Sequence, residues 1–194
     1  MPFAATYVQC DKHTRAPAEA LRRRDPGGSL KRSLDALDKA LIGTLFDDGR
    51  LAVSEIAARL GSSTPTVRGR LRHLLATGVL RVAALVDASE TPELTIAIVG
   101  LSLDGYDLDE MVERLAALDV VNWAAVVTGR YDIIAEVATT DGMNGLYDFL
   151  NVSLQKLGGI QSSEMFVVLK ASHKWMLLPQ ATTAAWTGSA AGGP

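Results

Sequence analysis

The chain has 194 residues, 48% of them apolar and 21% charged, the balance of an ordinary globular protein with room for one large domain or two small ones. No apolar run approaches the roughly 18 residues of a membrane-spanning helix, and the first residues lack the basic start and apolar stretch of a secretory signal. The single cysteine, Cys10, excludes an intramolecular disulfide and a cysteine-based zinc cage, so a reducing, cytoplasmic setting is expected. The net charge of −3 conceals a dipolar chain: residues 1–86 hold 14 basic and 8 acidic side chains, and residues 87–194 hold 5 and 14. Such a split points to a basic, DNA-facing part ahead of an acidic part with another task.

Residues 1–33 mix Pro17, Pro26, Gly27 and Gly28 with the run Arg22, Arg23, Arg24 and show no sustained apolar period. They read as a disordered basic leader able to touch phosphates. Residues 35–48 then read as a helix capped by Asp35, with Leu37, Leu41, Ile42 and Leu45 forming its apolar stripe. A second helix is expected over 53–60, capped by Ser54, with Ile56, Ala57 and Leu60 inward and Gly61 making the turn. Ser63 caps a third helix that runs to about Thr77 and stops at Gly78; Val67, Leu71 and Leu74 share one face of it. Three short helices, the last two joined by a tight glycine turn, are the pattern of a helix-turn-helix over residues 34–80. Val79–Val86 reads as a strand leaving this winged-helix-like unit, and Asp87–Pro92 as a hinge, giving a linker over 81–92.

The second half, 93–176, alternates differently. Strands are expected at Leu94–Leu103, Val120–Thr128, Tyr131–Thr139 and Ile160–Ser172, and helices at Leu108–Leu118 and Gly142–Leu157, with a hairpin at Gly129-Arg130. The order βαββαβ is the ferredoxin-like unit, so the chain is α+β overall. Two helices cover one face of such a sheet, which leaves Trp123, Val126, Ile134 and Val168 needing another cover. An open apolar face marks an interface, and a homodimer through the sheets is expected. Residues 177–194, rich in Ala, Thr and Gly, read as a disordered tail in which Trp186 is incidental.

With Val67 inward, a 100° step puts Pro65, Arg68, Gly69, Arg72 and His73 on the outward face of the third helix and Arg70 on its flank. No acidic residue lies between Arg59 and Arg81. A basic, acid-free helix suits a duplex groove, where arginine clamps guanine O6 and N7 or pairs with phosphate. The helix start, with Ser63, Thr64 and Thr66, offers hydroxyls and N–H groups to a backbone phosphate. The candidate DNA contacts are therefore Ser63, Thr64, Thr66, Arg68, Arg70, Arg72 and His73, and the partner is double-stranded DNA.

These residues also carry a resemblance. The segments Asp38-Lys39-Ala40-Leu41-Ile42, Asp48-Gly49-Arg50, Glu55-Ile56-Ala57, Gly61, Thr66-Val67, Arg70-Leu71, Leu74 and Gly78-Val79-Leu80 resemble the helix-turn-helix of the Lrp/AsnC family, the leucine-responsive regulators. Val127-Thr128-Gly129-Arg130-Tyr131-Asp132, Asp141 and Gly159-Ile160 are similar to that family's ligand-sensing domain, so the likeness spans about residues 34–175. It implies a homodimer, often assembled into octamers, that binds promoter DNA and answers to a small effector, commonly an amino acid held between dimers. The effector residues it implies are Gly129, Tyr131, Asp132, Asp141, Ser163 and Met165. A carboxylate such as Asp132 can hold an ammonium, and free backbone N–H groups can hold a carboxylate.

Two other readings compete. Some tetrapyrrole (siroheme-type) decarboxylases resemble this family in both domains, but His13, His73 and His173 show no catalytic or metal-ligand spacing. An assembly module that does not bind DNA is the third. No nucleotide-binding loop, nucleophile motif, metal site or cofactor signature is present, and a non-enzymatic protein is expected.

Overall fold

The computed structural model describes residues 33–105 and 107–188. They divide into two compact units, the first ending at Val82 and the second beginning at Ala83. The basic leader therefore lies outside the described residues apart from Ser33, as do residues 189–194 of the tail.

The first unit is three helices: α1 (Ala36–Asp47), α2 (Val53–Arg59) and α3 (Thr64–Ala76). Asp35 caps α1 in a reciprocal capping box with Asp38, which satisfies two of the orphan donors of the first turn. α2 starts at Val53, as the sequence suggests, but the expected Ser54 cap does not form. The cap position falls on Ala52, whose methyl cannot accept a hydrogen bond, and Ser54 is already inside the helix. Gly61 closes α2 at φ +60; its amide donates to Ala58 and the Ser62 amide to Ala57, the left-handed stop that L side chains resist. The core is Leu41, Ile56, Ala57, Val67 and Leu74, all buried. Leu41, Ile56, Val67 and Leu74 each contribute about 1.5–3 kcal/mol relative to exposure, so the three helices are held as one piece.

The strand expected over Val79–Val86 does not form. Val79, Val82 and Leu85 are extended-prone but exposed, and among the described residues nothing lies alongside Val79–Leu85 to complete a ladder. Only β1 (Val86–Asp87) pairs, and it pairs with β6 (Trp175–Met176). The hinge expected at Asp87–Pro92 is likewise part of the second unit. Asp87 caps a short 3-10 turn over Ala88–Glu90 by accepting the Ser89 amide, and the Ala88 amide donates to Lys174.

The second unit runs β2 (Thr95–Leu103), α4 (Leu108–Ala116), β3 (Val121–Val126), β4 (Ile133–Thr139), α5 (Gly142–Asp148), a π-helical stretch Phe149–Ser153, α6 (Leu154–Leu157) and β5 (Ile160–Val167). The helix expected over Gly142–Leu157 is thus unbroken but widened in its middle. The sheet order is β3-β4-β2-β5 and every pair is antiparallel, the ferredoxin-like arrangement the βαββαβ pattern calls for. Ala97, Val99, Leu101, Ile133, Ala135 and Val137 meet Met111 and Leu115 of α4 and Leu146, Phe149, Leu154 and Leu157 on the covered face.

The opposite face is covered at one end only. Met176 packs on Leu94, Ile96 and Ala138, with Val168 and Leu178 beside them. The tail expected to be disordered continues into α7 (Gln180–Thr187), anchored by the Ala181 amide on the Asp119 carbonyl. A bulge at Asn122 shifts the β3 register. It turns Trp123 to the open face opposite Glu136 and places Val126 opposite Ile133 on the helix side, so Val126 is exposed without belonging to the open face. Trp123 and Phe166 stay exposed there, and Ile98 and Ile134 are half-buried.

Amid these apolar side chains Glu136 is 1% exposed. Its carboxylate takes Lys174 Nζ at 2.5 Å and Asn122 Nδ2 at 2.7 Å. Removing one partner of a buried pair leaves an uncompensated charge. Lys174→Met is expected to lower stability by about 3 kcal/mol, the low end for such pairs because Lys174 keeps partial exposure. Adding Glu136→Gln should return most of the loss in urea unfolding; equal losses in the single and double variants would contradict the pairing.

Candidate nucleic-acid interface and effector end

α3 presents the face its periodicity predicts. Val67 and Leu74 are buried and Leu71 half-buried, while Pro65, Arg68, Gly69, Arg72 and His73 are exposed. Among the described residues Arg68 and Arg72 make no ion pair, so two guanidinium groups stand free on an acid-free helix face.

Three of the candidate DNA contacts are otherwise engaged. The Ser63 hydroxyl accepts the Thr66 amide at 3.3 Å and shares a 2.8 Å hydrogen bond with the Thr66 hydroxyl. Pro65 has no N–H, so the Thr64 amide is the first-turn donor that the cap leaves over. Arg70 is paired: Nη1 reaches Asp35 Oδ2 at 2.5 Å and Asp38 Oδ1 at 3.2 Å. Arg70, expected to join Arg68 and Arg72 as a DNA contact, is thus ion-paired within the chain. It sits on the flank, within reach of the two carboxylates that open α1. The bond to Asp35 and the two negative charges raise the Arg70 pKa above its ordinary value. The Asp38 amide, and then Arg70, hold Asp35 below its own.

Gly69 lies in the centre of the outward face, and a Cβ there would meet nothing within 4 Å. Packing in the chain therefore does not require glycine, although glycine weakens a helix by about 1 kcal/mol relative to Ala.

In the second unit the six effector candidates do not converge. Gly129 turns the β3–β4 hairpin at φ +131. Tyr131 lays its ring over Gly100, where an added Cβ would come within 2.7 Å of the ring. The Tyr131 hydroxyl donates to Glu164, and that bond raises its pKa; Arg130 Nη2 approaches Glu164 at 3.4 Å. Asp132 Oδ2 accepts the Leu103 amide at 2.8 Å, so one of its oxygens closes the hairpin onto β2. Ser163 pairs with Leu101 and Met165 with Val99, which puts both on the helix side of the sheet, away from Tyr131. Met165 packs against the core, and Ser163 lines a groove of about 440 Å³ with Gln155, Gly159 and Gln161. Asp141 follows the far end of β4, about 20 Å from Asp132 at the strand rise of roughly 3.3 Å per residue.

Two polar clusters escaped the reading of the sequence. The first is Glu136 with Asn122 and Lys174. Its signal was a lone acid inside the apolar run Ile133–Ala138. The second is Asp35 and Asp38 as acceptors for Arg70, signalled by two aspartates three residues apart at a helix start. Among the described residues no group of three or more His, Cys, Asp or Glu is placed to hold a metal. No described helix is long and apolar enough to cross a membrane.

A free basic helix on a helix-turn-helix, followed by a ferredoxin-like α/β domain, defines a class: a transcriptional regulator with a DNA-binding head and a ligand-binding domain. Comparison with known proteins names the family. Residues 34–75 match the AsnC-type helix-turn-helix domain, and residues 96–175 match the Lrp/AsnC ligand binding domain. A helix-turn-helix transcriptional regulator of Pyrococcus abyssi is 33% identical over 148 residues, which cover 76% of this chain and 92% of that one. Among solved structures, a feast or famine regulatory protein of M. tuberculosis complexed with L-methionine is 26% identical, with a TM-score of 0.61 over 73% of this chain and 96% of that one. A transcriptional regulator of Neisseria meningitidis, also in complex with L-methionine, is 25% identical, with a TM-score of 0.58 over 78% of this chain and 99% of that one. The chain belongs to the Lrp/AsnC family. None of these likenesses supports the tetrapyrrole-decarboxylase alternative.

The open space at Gly69 separates stability from binding. Gly69→Ala is expected to raise the stability of the helical unit by about 1 kcal/mol in thermal unfolding. It should also weaken DNA binding if the outward face of α3 is the contact face, since the methyl would stand at its centre. A variant that is stabilised and binds unchanged would remove Gly69 from the contact face.

Proposed function

We propose that this regulator binds specific promoter sites as a homodimer, with α3 in the major groove and an amino acid as its effector. The observation that carries the DNA part is the exposed, acid-free face of α3 with Arg68 and Arg72 unpaired. Arg68, Arg72 and His73 address base edges and nearby phosphates; the Thr64 amide, with Ser63 and Thr66 around it, addresses a backbone phosphate. Binding of this kind displaces counterions, so affinity falls steeply with salt. Gel shifts on the gene's own upstream region are expected to survive competitor DNA. The double variant Arg68→Ala, Arg72→Ala should cut the slope of log affinity against log salt by about two, one for each phosphate no longer neutralised. Equal affinity for competitor and upstream DNA would overturn sequence-specific regulation.

The dimer reading rests on the uncovered part of the sheet, where Trp123 and Phe166 are exposed beside Ile98 and Ile134. An apolar patch on a sheet face is covered by a second copy at modest cost. The effector reading rests on family membership and on the two similar regulators whose structures contain L-methionine. Gly129, Tyr131 and Asp132 of one copy remain its proposed contacts; Ser163 and Met165 pair with helix-side residues of β2, so they would join the hairpin only from a second copy. Asp141 is too far along the sheet to join the hairpin within one chain, so it would come from a second copy, and the effector would bridge copies. Sedimentation velocity is expected to give a dimer that Trp123→Glu with Phe166→Glu dissociates. Added L-methionine should shift the distribution toward or away from larger assemblies. A wild-type monomer would defeat the dimer, and a distribution blind to methionine would defeat methionine as the bridging ligand.

A further inference from the structure

The Asp35–Asp38–Arg70 cluster has a completeness that packing does not demand. Asp35 spends one oxygen on the Asp38 amide at 2.8 Å and the other on Arg70. Asp38 spends one oxygen on the Asp35 amide at 3.4 Å and the other on Arg70. All four carboxylate oxygens are used, and one guanidinium ties the first turn of α1 to the middle of α3. Asp38 is only 8% exposed. The cluster carries a net charge of −1, which repels phosphate rather than attracting it.

From this geometry we infer that Arg70 is a positioning residue: it locks the rotation and slide of α3 against α1 so that Arg68 and Arg72 reach the groove in register, and it does not itself touch DNA. The inference rests on the reading of α3 as the recognition helix. Apolar packing through Val67, Leu71 and Leu74 holds α3 down, but it is non-directional and tolerates small rotations. A guanidinium bound to two fixed carboxylates is directional. A shift of about 1 Å in a contact helix is enough to break a bidentate pairing, since hydrogen bonds weaken steeply with misalignment. The two carboxylates also need Arg70, because side by side at one helix start they repel each other, and α1's dipole offsets this only in part.

The test measures binding of the full-length protein to a labelled duplex from its upstream region over a series of salt concentrations. It is run at a temperature where circular dichroism shows each variant fully folded. Arg70 meets both acceptors through Nη1, and Arg70→Lys keeps the charge but loses the longer reach and the fixed N–H directions of the planar guanidinium. Arg70→Lys, Arg70→Gln and Asp38→Asn are each expected to weaken binding at least about five-fold, the size of coupling seen within one polar network, with the salt slope of the wild type. The double variant Arg70→Gln, Asp38→Asn should lose no more than the worse single variant. Arg68→Ala, the control, lowers the slope by about one.

Arg70 as a phosphate contact would give the opposite pattern: a slope reduced by about one in Arg70→Gln, little change in Arg70→Lys, and tighter binding in Asp38→Asn. That pattern overturns the inference, as does undiminished affinity in all three variants. A wild-type protein that bound no DNA would defeat the regulator reading instead. The clasp is then judged by amide hydrogen exchange, which Arg70→Lys should accelerate in the first turn of α1 and in α3. Unchanged exchange would overturn it without reference to DNA.

Discussion

Everything this protein does with DNA depends on one helix serving two faces at once. α3 buries Val67 and Leu74 to stay attached and, in the function we propose, presents Arg68 and Arg72 to the duplex. Both demands fall on 13 residues, and the 3.6-residue period satisfies them only because the side chains sort cleanly by angle. Gly61 and Ser63 set where that helix begins, so they also set which residues turn outward. A start displaced by one residue would rotate the basic face by about 100°.

The polar interactions around α3 divide the same way. Those at its start and flank are internal: Ser63 with Thr66, and Arg70 with Asp35 and Asp38. Those on its outer face are left open. The arginines of one basic helix are therefore not equally free of internal partners. What separates Arg70 from its neighbours two residues away on either side is the pair of carboxylates within reach, and these belong to a different helix.

The second unit is organised by the two sides of its sheet. One side is closed by α4, α5 and α6 over an apolar layer. The other is closed only at one end, by Met176 and the segment leading into α7, and is pinned there by the bond of Lys174 to Glu136. A buried carboxylate on an otherwise apolar face is costly unless it is fully partnered, and Glu136 has both Asn122 and Lys174. The remaining open area, around Trp123 and Phe166, is where a second copy belongs in the dimer we propose. A bridging effector would use the hairpin end of one copy and Asp141 of another, which ties ligand binding to assembly rather than to a single chain.

Local signals determined most of the architecture. The three helices, the Gly61 turn, the outward face of α3, the βαββαβ order and the Lrp/AsnC likeness were all legible from residues a few positions apart, because capping, left-handed glycine turns and amphipathic periods act over such distances. Tertiary structure alone decided what depended on residues far apart in the chain. Val79–Leu85 has the composition of a strand but, among the described residues, no strand beside it. The Asn122 bulge reversed the facing of Trp123 and Val126 relative to Val121, which an unbroken alternation from Val121 does not foretell. The tail gained a helix because Asp119 and the β4 end offered it a site. Arg70, Tyr131 and one oxygen of Asp132 each have a partner within the protein, which their residue types do not announce. A side chain's type is written in the sequence, but whether its charge or hydroxyl is free is set by partners that only the folded chain brings within about 3 Å.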